Sequence, residues 1–241
     1  MSIWSRTRAA KFTLQFAARS ARGMFGRYPR ECPICGHKGY FYGYGYPFVC
    51  DVLCPCCNSL ERQRFLVLID QREKFFAGRD VLHFAPEFSV RRYLQTKNLS
   101  SYKTADLFAP DVDFKLNIEK IDQPASSYDV VLCSHVLEHV DDRKALSEIH
   151  RILRADGLLI AMFPLVEGWD VTYENAAVSA PVDRLLHFGQ HDHMRFFGRD
   201  ARERIRTAGF DLKEFTAEEP DVTRYGLQRG EKIFAGRKRN S

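Results

Sequence analysis

Cys32-Pro33-Ile34-Cys35-Gly36 and Cys54-Pro55-Cys56-Cys57 are two C-P-x-C turns with 18 residues between them. Two residues between thiols let one tight turn present both sulfurs to a single ion, and Gly36 permits the positive φ that such a turn needs. The spacing points to a tetrahedral zinc held by Cys32, Cys35, Cys54 and Cys57. Four thiolates close the coordination sphere and leave no place for water, which makes such a zinc structural. Cys50 and Cys56 are spares or an alternative fourth ligand, and a redox-active or merely buried thiol group is the competing reading. Six of the seven cysteines lie between Cys32 and Cys57; the odd total argues against a closed disulfide framework. No apolar signal core precedes them, so a reducing cytoplasm is the expected setting.

A second group of residues suits a nucleotide-like ligand. His83-Phe84-Ala85-Pro86-Glu87 closes one apolar run, and Asp106 ends the next about 20 residues later, where doubly wound sheets place the carboxylate that binds a ribose diol. Taken alone, Asp106 reads equally well as a cap or turn residue.

Residues 128–164, YDVVLCSHVLEHVDDRKALSEIHRILRADGLLIAMFP, resemble the fourth-to-fifth-strand region of class I S-adenosylmethionine-dependent methyltransferases of the small-molecule type. The likeness runs over residues 79–238, and the cysteine module followed by NSLERQR is similar to a subgroup that carries an N-terminal zinc ribbon. By position, the resemblance implies a cofactor pocket built from Phe84, Ala85, Pro86 and Glu87, with Asp106 and Leu107 at the ribose and adenine. It places Asn117 and Ile118 along the adenine, and Ser134 and His135 near the methionine portion. The chain departs from the family twice. An acidic residue followed by G-x-G-x-G is replaced by His83, Ala85, Glu87 and Ser89, and the Asp that usually faces the adenine amino group is Asn117. Ala85 adds only one methyl group to a turn where the backbone must approach the ligand, and Glu87 is placed to replace the missing carboxylate.

Methyl transfer from a sulfonium needs alignment of acceptor and methyl group, and a base near neutral pKa when the acceptor is a hydroxyl. His135, His191 and His193 are the candidates; His-x-Asp also serves simply as a helix-start cap. A second metal site at His187, His191, Asp192 and His193 lacks a standard ligand spacing. His139 and His150 read as packing or solvated residues. Glu138, Asp141 and Asp142 read as charge balance for a helix start, and Arg195 and Arg199 as a solvated helix start or a bidentate anion clamp.

The elements that must position these groups follow from periodicity. Short apolar runs at 80–85, 102–107, 113–118, 128–134 and 157–164 are typical of strands buried on both faces of a parallel sheet, with helices at 89–97 and 142–154, the latter stopped by Asp156-Gly157. A helix at 201–210 and two strands at 210–217 and 231–237 follow. The fold expected is α/β, a doubly wound, Rossmann-like, mostly parallel sheet of seven strands preceded by a small zinc ribbon. The expected segments are a basic arm (1–30), the ribbon (31–58), a connecting helix (59–78) starting at an Asn58 or Ser59 cap, and the methyltransferase domain (79–241). In the ribbon the alternating aromatics of GYFYGYGYPF suit a hairpin, with Tyr40, Tyr42, Tyr44 and Tyr46 as its miniature core or, alternatively, as rings on which unpaired bases stack.

The formal charge is +5, but residues 1–30 hold Arg6, Arg8, Lys11, Arg19, Arg22, Arg27 and Arg30 and no acid; without those seven the remainder is −2. Attraction to nucleic acid or anionic lipid is therefore expected only through the arm, where an imperfect amphipathic helix or a solubilising terminus fits the pattern. With 45% hydrophobic residues the chain is neither disordered nor collagenous, and its longest apolar run, 157–166, is half of what a bilayer crossing needs. The expected function is methyl transfer from S-adenosylmethionine to a small molecule or glycan. An RNA methyltransferase using ribbon and arm, and a non-catalytic zinc scaffold with a degenerate pocket, are the alternatives.

Overall fold

A computed structural model describes residues 26–45 and 48–239; the expected helix of the basic arm, up to residue 25, and Tyr46 lie outside them. The chain divides into two units, one made of the described residues up to Leu68 with Ala217–Glu231, the other of Ile69–Thr216 and the described residues from Lys232.

In the first unit β1 (Pro29–Glu31) pairs with β2 (Lys38–Tyr40) and β3 (Tyr42–Tyr44) with β4 (Val49–Leu53), both antiparallel. The first C-P-x-C turn joins β1 to β2 and the second follows β4. The miniature core is not tyrosine: Tyr40, Tyr42 and Tyr44 are exposed, and Phe41 is the fully buried aromatic, packed with Cys32, Cys54 and Cys57. Alternate residues of an extended segment point to opposite faces, and the phase puts Phe41 inward.

The connecting helix α1 spans Glu61–Glu73. Asn58 does not cap it. Asn58 has φ +55° and belongs to the second cysteine turn, while Gln63 Oε1 accepts the Leu60 N–H at 3.0 Å at the helix start. The helix stops at Lys74, φ +58°, before the expected Gly78. Arg64 on α1 is fully buried without a carboxylate partner, yet its guanidinium donates to four backbone carbonyls: Val52 (2.8 Å), Ser59 (2.5 Å), Tyr225 (2.8 Å) and Gly226 (2.7 Å). It also lies over the Phe41 ring, 4.7 Å from the centroid. Burial pulls its pKa down to about 10, so it stays cationic at neutral pH.

The second unit is built on β5 (Asp80–Phe84), β6 (Ser101–Asp106), β7 (Phe114–Lys115), β8 (Tyr128–Ser134), β9 (Leu153–Met162), β12 (Phe210–Thr216) and β13 (Lys232–Lys238). They form one sheet in the order β12-β13-β9-β8-β5-β6-β7. Strands β5 to β9 are parallel, and β13 runs antiparallel to both its neighbours. This is the seven-stranded doubly wound sheet expected. Both faces of the central strands are covered, which is why β8 reads as an unbroken apolar run. Two crossover helices, α2 (Phe88–Gln95) and α3 (Asp142–Ile152), bury one stripe each, Val90, Tyr93 and Leu94 on α2 and Ala145, Leu146, Ile149 and Ile152 on α3.

Asp156-Gly157 does not stop α3. The chain turns extended at Leu153 and enters β9 at once, because Leu153 is a core residue aligned with Tyr128. Asp156, at φ +60°, falls instead where β9 shifts register against β8. After β9 come β10 (Tyr173–Glu174), α4 (Pro181–Phe188), β11 (Arg195–Phe196) and α5 (Ala201–Thr207), with α6 (Asp221–Tyr225) in the first unit's second segment. Among the described residues no helix is long and apolar enough to cross a membrane.

Candidate functional site: a cleft at the switch point and a four-cysteine cluster

From β5 the chain moves outward through α2 to β6 and β7, then returns to lay β8 on the other side of β5. Ligands of doubly wound sheets sit at such a reversal, outside the carboxyl ends of the strands. A cleft of about 460 Å³ opens there, lined by Ala85, Pro86, Glu87, Arg91, Asp106 and Ala109 among others. The turn after β5 is tight for a definite reason: Ala85 has φ +47°, and its N–H bonds the Ala105 carbonyl at 2.9 Å, holding the turn against the end of β6. Pro86 follows, and Glu87 begins α2 without capping it through its side chain. Ser134 Oγ donates to Glu87 Oε2 at 3.4 Å, so the ends of β5 and β8 meet at this carboxylate.

Asp106 Oδ1 accepts the N–H groups of Phe108 (2.6 Å) and Ala109 (2.7 Å), which fixes the carboxylate at the end of β6 and leaves Oδ2 without a hydrogen bond among the described residues. Leu107 and Phe108 are exposed beside it, an apolar surface of the kind that marks a ligand groove. Asn117 is exposed with its Oδ1 on the Glu119 N–H, and Ile118 is buried in the main core; neither lines the cleft. His83 is fully buried with Nδ1 2.9 Å from Tyr102 Oη, and burial pulls its pKa down to about 3, so it is a neutral packing residue rather than a substitute acid.

Residues 91–161 match the family model described as "Methyltransferase domain". That stretch, under a third of the chain, carries a methyltransferase-family signature. Solved structures share the fold. The Burkholderia thailandensis 1,6-didemethyltoxoflavin-N1-methyltransferase is 16% identical with TM-score 0.52, covering 72% of this chain and 76% of that one. An S-adenosylmethionine-dependent methyltransferase from Mesorhizobium loti is 15% identical with TM-score 0.50, covering 68% and 93%. The [4+2]-cyclase SpnF is 13% identical with TM-score 0.55, covering 74% and 82%. None of the curated proteins matches the chain.

On the methyltransferase domain the histidines separate. His135 follows β8 with φ +54°; its N–H bonds the Met162 carbonyl at 2.8 Å and its Nδ1 lies 3.2 Å from Glu138 Oε1. His191 is exposed. His193 is buried, with Nδ1 3.2 Å from the Phe188 carbonyl, and burial holds its pKa below the usual imidazole range. His187 Nδ1 bonds Tyr173 Oη at 2.6 Å, so the four groups between His187 and His193 do not converge on one point. Glu138 is no helix-dipole partner, because Asp141 caps α3 by accepting the Lys144 N–H and Glu138 is buried against His135. Arg195 is not solvated: it is buried between Asp142, Glu174 and the carbonyls of Leu137 and Val140. Arg199 is exposed and pairs with Asp170. His150 packs edge-on to Phe210.

In the first unit the sulfurs of Cys32, Cys35, Cys54 and Cys57 converge, all within 4.8 Å of one another. Cys32–Cys57 and Cys35–Cys54 are 3.6 and 3.7 Å apart. Four sulfurs at 2.3 Å from a tetrahedral zinc sit about 3.8 Å apart, so the donor set has the size of that ion. Ser59 Oγ lies 3.4 Å from Cys32 Sγ and 3.2 Å from Cys57 Sγ, a hydroxyl beside two donors that the sequence did not single out. Thiols this crowded oppose joint ionisation: bonds from Cys54 and Cys57 hold Cys32 well below the usual thiol range, while the bond to Cys32 raises Cys54 and burial pushes Cys35 up to about 11. A cation relieves that opposition. Cys56 is exposed beside His37 Nδ1 at 3.3 Å, and neither it nor Cys50 joins the four.

Proposed function

We propose that the protein methylates a hydroxyl of a small molecule or glycan, binding S-adenosylmethionine in the cleft at the ends of β5, β6 and β8. The observation that carries the reading is the pairing of a strained, tight turn at Ala85 with a fixed carboxylate at Asp106 across one cleft. Ala85, Pro86 and Glu87 would line the methionine side, with Phe84 buried in the core beneath them and Ser134 and His135 beyond the cleft lining. Asp106 would take the ribose diol and Leu107 the adenine. Bound there, the cofactor supplies an electrophilic methyl carbon and a sulfur that leaves as a neutral thioether.

The chain's own part is alignment and proton removal. Glu138 Oε1 accepts from His135 Nδ1, which makes Nε2 the basic nitrogen. This is the arrangement of a general base with an orienting carboxylate. His135 is assigned the proton of the acceptor hydroxyl; its Nε2 is closed to solvent, so the acceptor reaches it only if neighbouring groups move aside. His191, exposed, and His193, tied to Phe188, are assigned no proton transfer. The small-molecule class, though not the hydroxyl, draws support from the Burkholderia N1-methyltransferase, whose crystal holds 1,6-didemethyltoxoflavin and S-adenosylhomocysteine. Zinc at the four cysteines would be structural, its four protein ligands leaving no open position.

Exposed Tyr40, Tyr42 and Tyr44 on the ribbon favour a second reading, RNA as acceptor, since unpaired bases stack on such rings. Calorimetry with S-adenosylhomocysteine tests the first claim: no binding at millimolar ligand would leave only a scaffold. RNA affinity measured against salt separates the acceptors, because phosphate contacts impose a steep salt dependence.

A further inference from the structure

Glu138 is 1% exposed, and while Oε1 faces His135, Oε2 is buried with no hydrogen-bond partner among the described residues. A carboxylate oxygen in that state is compensated by a bound water, a proton or a cation. Two imidazoles stand beside it. His139 and His193 meet edge to face with centroids 4.7 Å apart, and the donor atoms of Glu138, His139 and His193 all lie within 4.8 Å of one another.

Both rings are oriented through their far nitrogen. His193 Nδ1 lies 3.2 Å from the Phe188 carbonyl and His139 Nδ1 3.3 Å from Asp192 Oδ2, which commits each Nε2 to the role of ligand. Carbonyl and carboxylate partners on the second nitrogen are what orient metal-bound histidines. The two stretches that contribute the donors are fastened together by backbone: Met194 N–H bonds the Glu138 carbonyl at 2.8 Å, and Arg195 donates to the carbonyls of Leu137, at 2.9 Å, and Val140. Arg195 does not neutralise Glu138, since its own charge is matched by Asp142 and Glu174.

We propose that Glu138, His139 and His193 form a divalent-cation site of two imidazole nitrogens and one carboxylate oxygen. That donor set favours zinc, iron(II) or cobalt(II) over magnesium or calcium, which take oxygen ligands. Three protein ligands leave positions open, so the site suits an exchangeable oxygen rather than a closed structural role. Resting on the function proposed above, that oxygen is the acceptor hydroxyl, whose acidity a bound cation raises.

The test uses the full chain with its four-cysteine site already loaded, titrated with cobalt(II) and followed by calorimetry and visible absorption. The expected result is a further equivalent of cobalt with nitrogen and oxygen ligation and no thiolate charge-transfer band. Glu138→Gln and His193→Asn each weaken it by about 10-fold or more. Should His193→Asn fail to fold by near-ultraviolet circular dichroism, His139→Asn, on a partly exposed ring, carries the same expectation. A single equivalent of metal in the unaltered chain, or a further equivalent untouched by the substitutions, overturns the proposal. S-adenosylhomocysteine affinity in the same samples keeps the two readings apart. Its absence sinks methyl transfer and leaves the cation result standing.

Discussion

Asn58 takes in the second cysteine turn the place that Gly36 takes in the first: each has a positive φ, +55° and +78°, and each donates its N–H to the carbonyl of the cysteine four residues earlier at 2.9 Å. The next backbone bonds match as well, Cys32 N–H to His37 and Cys54 N–H to Ser59. Asn58→Gly should retain metal as the parent does, whereas Asn58→Val, costing about 1 to 2 kcal/mol or more at this φ, should release it faster. Zinc transfer to a chromophoric chelator measures the difference.

Ala85 carries the same kind of strain in the methyltransferase domain, at φ +47°. Ala85→Gly should raise stability in urea by roughly 0.5 to 1 kcal/mol without loss of cofactor affinity, and Ala85→Val should lower both. A glycine variant less stable than the parent would show that the turn is not strained.

Asp106 holds its own turn through Oδ1, and in the proposed pocket its second oxygen would meet the ribose. Asp106→Asn keeps an acceptor for the Phe108 and Ala109 N–H groups but loses the charge, while Asp106→Ala loses both. At about 1.5 to 3 kcal/mol for a charge-assisted hydrogen bond, the expected loss of S-adenosylhomocysteine affinity is roughly 10-fold for Asn and 100-fold for Ala. Equal affinities by calorimetry would remove Asp106 from the pocket.

His83 gives the stability a pH signature. With its folded pKa near 3 and an unfolded value near 6.5, the unfolded chain alone binds a proton between those limits, so stability is full above about pH 6.5 and falls as the pH drops toward 3. The histidine's share of the loss between pH 7 and 5 is about 2 kcal/mol. Urea denaturation of His83→Gln at the two pH values should show a difference smaller by that amount.

What could be read in the sequence was what depends on neighbours along the chain. Strand β8 falls on the expected residues 128–134 because burial on both faces leaves a continuous apolar run, and the cysteine spacing identified the donors that converge. Glu138 was read as a local charge near a helix start, whereas its surroundings are set by His193, 55 residues away in the chain. Helix α4 had local signals, Pro181 in its first turn and Gly189 at φ +77° past its end, but it buries only Phe188, so no core-facing stripe announces it. Asn58 and Asp156 were misassigned for one reason: residues that favour caps and stops also tolerate positive φ, and tertiary pairing decided which property was used.

Arg64 ties the ribbon to residues that are made much later. Two of its four carbonyl acceptors, Tyr225 and Gly226, lie more than 160 positions downstream. On a ribosome the cysteine turns emerge early with a guanidinium that has nowhere to put half of its protons, and strands β5 to β12 are complete before those acceptors appear. The cysteine turns are thus made before the sheet strands and gain their last guanidinium acceptors only after β12. A fragment ending at residue 216 should bind zinc more weakly than the whole chain although it holds every ligand.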